Sequence, residues 1–173
     1  VYLLGSYSSY ALATYKYNTL TNTYTKLTDI TYKFSEGSAV AIGTDVYLFG
    51  GHESTIKAYK YDTLTDTYTQ LTGIPYEFYY GSAVAIGTDV YLFGGNNSRT
   101  TAYKYDTLTN TYTKLTDITY SFYKGSAVFT GTDIYLFGGN DNPKKVQIMA
   151  MIPNNYGNKS IVISQGVPNH KKD

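Results

Sequence analysis

An all-β chain built from repeated four-stranded antiparallel units is what this sequence predicts, and three observations carry that reading. The block GTDVYLFGG at Gly43 to Gly51 returns at Gly87 to Gly95 and, as GTDIYLFGG, at Gly131 to Gly139, each step being 44 residues. A second block, YKYNTLTNTYTKLT from Tyr15, returns from Tyr59 and from Tyr103 on the same 44-residue step, and two blocks in one register rule out chance. Within a unit, no apolar residues fall at the 3, 4 and 7 spacing of an amphipathic helix; they form short alternating runs rich in β-branched and aromatic residues.

Each unit yields four short strands. GSAVAI (Gly37 to Ile42) is small and apolar, and the turn residues Gly43-Thr44-Asp45 lead into VYLF (Val46 to Phe49), which stops at Gly50-Gly51. After a variable loop, AYKYD (Ala58 to Asp62) and TYTQL (Thr67 to Leu71) flank the polar connection Thr63 to Asp66, the pattern of a hairpin. Asp62, Asp106 and Asn18 are expected to satisfy turn amides at the hairpin start, and Asp45, Asp89 and Asp133 to cap their own Gly-Thr-Asp turns. Four antiparallel strands recurring every 44 residues are the signature of β-propeller blades.

The motif resembles the kelch repeat family, whose blades carry an apolar run, a Gly pair, a Tyr and then a late aromatic, normally Trp, seven positions on. Here these are Val46 to Phe49, Gly50-Gly51, Tyr61 and Tyr68, and again Val90 to Phe93, Gly94-Gly95, Tyr105 and Tyr112; the first unit has Gly5-Ser6 before Tyr17 and Tyr24. The resemblance covers about 1–139. Every expected Trp is Tyr, which is expected still to pack on the Gly pair. The basic residue common before the first strand is replaced by Phe34-Ser35-Glu36, Phe78-Tyr79-Tyr80 and Phe122-Tyr123-Lys124, which removes the arginine ring that some members use for anions.

The chain opens at VYLLG, equivalent to Val46 to Gly50, so the first blade begins at its second strand. With no initiating Met or leader, the start is expected to be a cut in a longer or processed chain. The last unit changes after Gly139, and VQIMAM (Val146 to Met151) and SIVISQG (Ser160 to Gly166) are expected to serve as its third and fourth strands. The expected organisation is one propeller region over 1–166, with blades at about 1–30, 37–73, 81–117 and 125–166, and a polar tail at 167–173. Close to four blades leaves three arrangements: a tight ring, part of a larger ring, or blades completed by another copy of the chain.

Composition excludes several functions. Fourteen Lys+Arg against thirteen Asp+Glu give a net charge of +1, too little field for nucleic acid or an anionic membrane surface. The longest apolar runs fall far below the roughly 20 residues that span a bilayer, so no membrane insertion is expected. Zero Cys removes disulfides, thiolate nucleophiles and Cys-ligated metals, and fits either redox compartment. The resemblance extends to copper oxidases similar to galactose oxidase, which need a Cys cross-linked to Tyr, and to sialidase-like propellers, which need an arginine cluster; Arg99 is the sole arginine here. No enzyme, metal or cofactor is expected. His52 and His170 read as surface residues, and the Gly pairs lack the Lys-Ser/Thr and helix of a phosphate loop. The Thr ladders at 19–25, 63–69 and 107–113 read as solvated outer strands. Asn96-Asn97-Ser98 and Asn158-Lys159-Ser160 match the short N-glycosylation pattern, which chance also produces.

Strand alternation puts the loop after each Gly pair and the segment between blades on one face. The copies differ most in those loops: SYSSYALA, His52 to Lys57, Asn96 to Thr101 and Asn140 to Lys145. The candidate ligand-binding residues are therefore His52 and Arg99 in the loops, Phe34 before the second unit, Phe78, Tyr79 and Tyr80 before the third, and Phe122, Tyr123 and Lys124 before the fourth. Aromatic rings with polar edges stack on sugars and anchor side chains, although the same rings could instead pack between blades. The expected function is a non-catalytic module that recognises a glycan or a protein. Tyr/Thr/Asn/Lys-rich repeats of this style resemble those of bacterial surface and bacteriophage tail or virion proteins, which points to an extracellular, cell-surface or virion setting. The alternative is an architectural piece, a homo-oligomer or part of a larger assembly whose incomplete blades are closed by neighbours.

Overall fold

The computed structural model describes residues 1–4, 13–139, 146–153 and 159–164, the last two stretches with side chains only at Val146 and Ile148. The described residues form antiparallel sheets and no helix. The first sheet has three strands, β1 (Tyr2–Leu3), β2 (Tyr15–Asn18) and β3 (Thr23–Lys26). The second runs in order through β4 (Ser38–Ile42), β5 (Asp45–Phe49), β6 (Ala58–Asp62) and β7 (Thr67–Gln70). The third repeats it as β8 (Ser82–Ile86), β9 (Asp89–Phe93), β10 (Ala102–Asp106) and β11 (Thr111–Lys114). The fourth is β12 (Ser126–Phe129), β13 (Asp133–Phe137), β14 (Val146–Pro153) and β15 (Lys159–Ser164), so the divergent segments do supply its last two strands. The expected tail at 167–173 lies outside the described residues.

Each sheet is a blade, and consecutive blades stack face to face. In β5, Val46 and Leu48 pack toward the first blade with Ile30, Tyr32 and Tyr61, while Tyr47 and Phe49 pack toward the third with Val90, Leu92 and Tyr105. A strand covered on both faces needs an unbroken apolar run rather than alternation, which is why VYLF lacks a polar face. Each such Leu or Phe contributes about 1.5–3 kcal/mol on leaving water. The first strands β4, β8 and β12 lie side by side at the inner edge. Ala and Ser at these positions permit the close approach, and the hydroxyls of Ser38 and Ser82 accept the amides of Ala83 and Ala127, both at 3.0 Å. The outer Thr strands β3, β7 and β11 are mostly exposed, as their composition predicts.

Between blades runs a wedge with period two: Ile30-Tyr32-Phe34, Ile74-Tyr76-Phe78 and Ile118-Tyr120-Phe122. The wedge explains the Gly pair. A Cβ on Gly50 would lie 1.6 Å from the carbonyl oxygen of Phe78, and Gly50 holds φ +67, so only glycine fits. The late Tyr does not pack there as expected. Tyr68 instead packs at a tilt against Tyr61, ring centroids 4.7 Å apart, and shares a hydrogen bond with the Thr14 hydroxyl of the preceding blade at 2.7 Å.

The hairpin starts behave as predicted: the carboxylates of Asp62 and Asp106 each accept two amides, from Leu64 and Thr65 and from Leu108 and Thr109. Those bonds hold both carboxyls below the ordinary value. Asp45 and Asp89 do not cap their turns. They sit at the first position of a strand and pair with Lys60 and Lys104 on the adjacent strand, at 3.3 and 3.2 Å. Asp133 accepts from its neighbour Thr132 at 2.9 Å.

Candidate functional site

The variable loops and the inter-blade wedges do share one face. The amide of His52 donates to Ser35 O at 2.8 Å, that of Phe78 to Thr55 O at 2.8 Å and that of Phe122 to Arg99 O at 2.8 Å, so each loop is tied to the wedges on either side of it.

The site is built on three residues 44 positions apart, Glu36, Tyr80 and Lys124, with φ of 62°, 58° and 59°. The left-handed region is uncommon for such side chains and costs about 1–2 kcal/mol at each. Each stands immediately before the glycine that opens an inner strand. The curl lets the Tyr80 amide donate to Glu36 O at 2.8 Å and the Lys124 amide to Tyr80 O at 2.9 Å, a backbone chain running from blade to blade. The same curl turns the side chains into contact. The Tyr80 hydroxyl donates to the Glu36 carboxylate, the Lys124 ammonium lies 4.2 Å from the centroid of the Tyr80 ring, and Tyr123 meets Tyr80 edge-on at 5.1 Å. The second Glu36 carboxylate oxygen is buried and accepts no hydrogen bond.

Around this line stand the loop residues. His52 is exposed and meets Tyr79 edge-on at 5.7 Å, Tyr79 packs on Tyr80 at 5.6 Å, and the Asn96 side-chain amide donates to the Tyr79 hydroxyl. The Arg99 guanidinium lies 4.8 Å from the Tyr123 ring centroid, and its Nε donates to Asn96 O at 2.9 Å. Tyr79, Tyr80, Arg99 and Tyr123 are half-buried, and Lys124 is exposed.

Of the residues expected to bind ligand, His52, Tyr79, Tyr80, Arg99, Tyr123 and Lys124 are thus brought together. Phe34, Phe78 and Phe122 are not: they are 8%, 0% and 0% exposed and fill the core between blades, so they have no face to offer a ligand. The alternation that points Phe78 inward is what points Tyr79 outward. Sequence reasoning missed Glu36 and Asn96 as members of the cluster. The repeat register itself carried the signal for Glu36, since it occupies the position of Tyr80 and Lys124. Among the described residues, no group of three His, Cys, Asp or Glu could hold a metal ion.

The Kelch motif model matches residues 33–74 and 77–119, which are the second and third repeat units with their leading wedges. No curated protein matches the chain. Among solved structures, 154 chains match. One is the kelch-type propeller YjhT, at 22% identity and a TM-score of 0.58, covering 65% of this chain; this chain spans about a third of it, 36%. The likeness in fold, the Gly-pair blades and the motif matches agree: this chain is a kelch-repeat protein with propeller-type blades.

Proposed function

We propose that the chain is a non-catalytic recognition module whose loop face takes a glycan. The observation that carries this reading is the convergence of His52, Tyr79, Tyr80 and Tyr123 with the charged groups of Glu36, Arg99 and Lys124 on one face. Half-buried tyrosine rings offer flat apolar faces to the C–H face of a sugar, while their hydroxyls and the nearby amide, carboxylate and cations bond its hydroxyls. The rings are held by neighbours on both sides, which lowers the ordering cost of binding. The four loops differ between blades while the scaffold repeats, the pattern of a surface specialised on a constant frame. A protein ligand is the second reading, favoured by the kelch repeat itself, since such repeats generally mediate protein interactions. An extracellular, cell-surface or virion setting belongs to this proposal.

The test is binding to an immobilised panel of oligosaccharides by the wild type and by Tyr79→Ala and Tyr123→Ala. The reading predicts a defined subset of bound glycans, with affinity lowered at least tenfold in both variants. Binding that survives both substitutions would remove the site, and a blank panel would favour a protein ligand.

A further inference from the structure

Two neighbouring tyrosine hydroxyls on the loop face are wired in opposite directions. Tyr80 gives its proton to the Glu36 carboxylate. Tyr79 instead accepts, from the side-chain amide of Asn96. Which end of an Asn side chain donates follows from its partners, because its nitrogen carries only protons and its oxygen only lone pairs. Here the partners leave no choice. The Glu77 carboxylate only accepts, so Asn97, which faces it, presents its side-chain nitrogen. That turns the Asn97 side-chain oxygen toward Asn96, whose own nitrogen donates to it at 3.2 Å. The two protons of the Asn96 nitrogen thus go one to Asn97 Oδ1 and the other to the Tyr79 hydroxyl oxygen.

Backbone contacts hold this relay in place. The Asn96 amide donates to Tyr79 O at 3.0 Å and Asn96 O accepts from Arg99 Nε at 2.9 Å, so Asn96 is clamped between wedge and loop. Glu77 and Asn97 are exposed, whereas Asn96 and Tyr79 are half-buried, where hydrogen bonds compete less with water. The second repeat unit is built differently: positions 33 and 53, equivalent to 77 and 97, hold the ion pair Lys33–Glu53, and His52 stands in the place of Asn96.

With the Asn96 amide on its oxygen, Tyr79 turns its proton away from Asn96, and among the described residues that proton meets no acceptor. The direction of a donor gives selectivity only toward a ligand atom that has no proton of its own to turn. A sugar hydroxyl rotates to suit a donor or an acceptor alike, while a carbonyl oxygen can only accept.

We propose, resting on the glycan reading above, that the Tyr79 hydroxyl donates to the carbonyl oxygen of an acetamido group on an N-acetylated sugar. Asn96, Asn97 and Glu77 are the positioning residues that set the direction of that donor.

The experiment measures affinity for the oligosaccharide panel read as matched pairs that differ only in acetamido against hydroxyl, beginning with chitotriose against cellotriose. Wild type prefers the acetamido member of a pair by about tenfold. Asn96→Asp keeps the shape of the side chain but only accepts, so it takes the Tyr79 proton. It is expected to remove that preference by weakening the acetamido sugar about tenfold and leaving its hydroxyl partner within about twofold, a split that a merely structural role would not produce. Tyr79→Phe weakens both members. Glu77→Gln, at an exposed position, lets the relay flip and lowers the preference in the same direction, which keeps the test decisive where Asn96→Asp disturbs the loop. Glycans bound without preference for the acetamido member, or an Asn96→Asp variant that weakens both members alike, overturn the relay and leave the recognition reading standing. A panel that is blank throughout overturns both.

Discussion

Asp66 and Asn110 occupy the last position of the hairpin connection in the second and third blades, with φ of 56° and 55°. Each bonds in two directions. Asp66 accepts the Tyr61 hydroxyl at 2.6 Å within its blade and the Thr28 amide of the blade before at 3.0 Å; Asn110 does the same with Tyr105 at 2.8 Å and Thr72 at 2.9 Å. Asn22 bonds Tyr17 at 2.8 Å and has no such cross-blade amide among the described residues. Asn110→Ala and Asn22→Ala carry the same backbone strain, so the former is expected to cost about 1–2 kcal/mol more in a denaturant melt. Equal losses would mean that the cross-blade bond contributes nothing. Asp66 adds a titration: the Tyr61 hydroxyl, then the Thr28 amide, hold its carboxyl below the ordinary value of 3.8. A depressed carboxyl stabilises the fold above its unfolded value and stops doing so as pH falls through its folded one. Below about pH 4, Asp66→Asn, which installs the residue of the third blade, is therefore expected to lose less stability than wild type. Parallel losses in the two proteins would contradict this.

At the scale of elements, the glycines separate conformational strain from crowding. Gly43 and Gly50 hold similar φ, +59 and +67, yet a Cβ on Gly43 meets nothing within 4 Å whereas one on Gly50 runs into the Phe78 carbonyl. Gly43→Ala is expected to cost about 1–2 kcal/mol, the left-handed penalty alone. Gly50→Ala is expected to cost more than about 3 kcal/mol, because the wedge must move away from the blade. Thermal melts of the pair decide it; similar losses would mean that the wedge yields easily. These elements also show what the sequence makes legible. VYLF followed by a Gly pair reads as a doubly covered strand that ends abruptly, and Asp62 and Asp106 read as turn residues, because both depend on local chemistry. The wedge was legible in its period of two, yet Phe34, Phe78 and Phe122 look the same as Tyr79 in composition, and only the stacking of blades decides which parity faces the core. Asp45 and Asp89 misled for a related reason: Gly-Thr-Asp is a turn motif, but the pairing of strands sets lysines beside these carboxylates. The curl at Glu36, Tyr80 and Lys124 leaves no mark in residue type, since it is imposed by hydrogen bonds between blades.

Across the whole molecule, stability is spread over three aromatic interfaces rather than gathered in one core. Burial, with the Asp89 charge for Tyr91 and with Tyr47 and Asp106 for Tyr105, pushes the hydroxyls of Tyr91 and Tyr105 up to about 12, and burial alone does so for Tyr120. A group raised in this way stabilises the fold fully below its unfolded value near 10, and that contribution is lost as pH rises toward 12. Ultraviolet titration of the tyrosines is expected to show an early wave from exposed rings and a late one that coincides with loss of the β-sheet circular dichroism. A single early wave would mean that the interfaces are open to water.

The spread of stability leaves the loop face free to vary, and the functional reading rests on that face. The most direct test compares glycan affinity for Tyr79→Ala on the loop face with that for Leu64→Ser, an exposed hairpin-tip position on the opposite face. The account predicts an affinity lost by at least tenfold in the first variant and unchanged in the second. Equal effects of the two substitutions, or none from Tyr79→Ala, would contradict it.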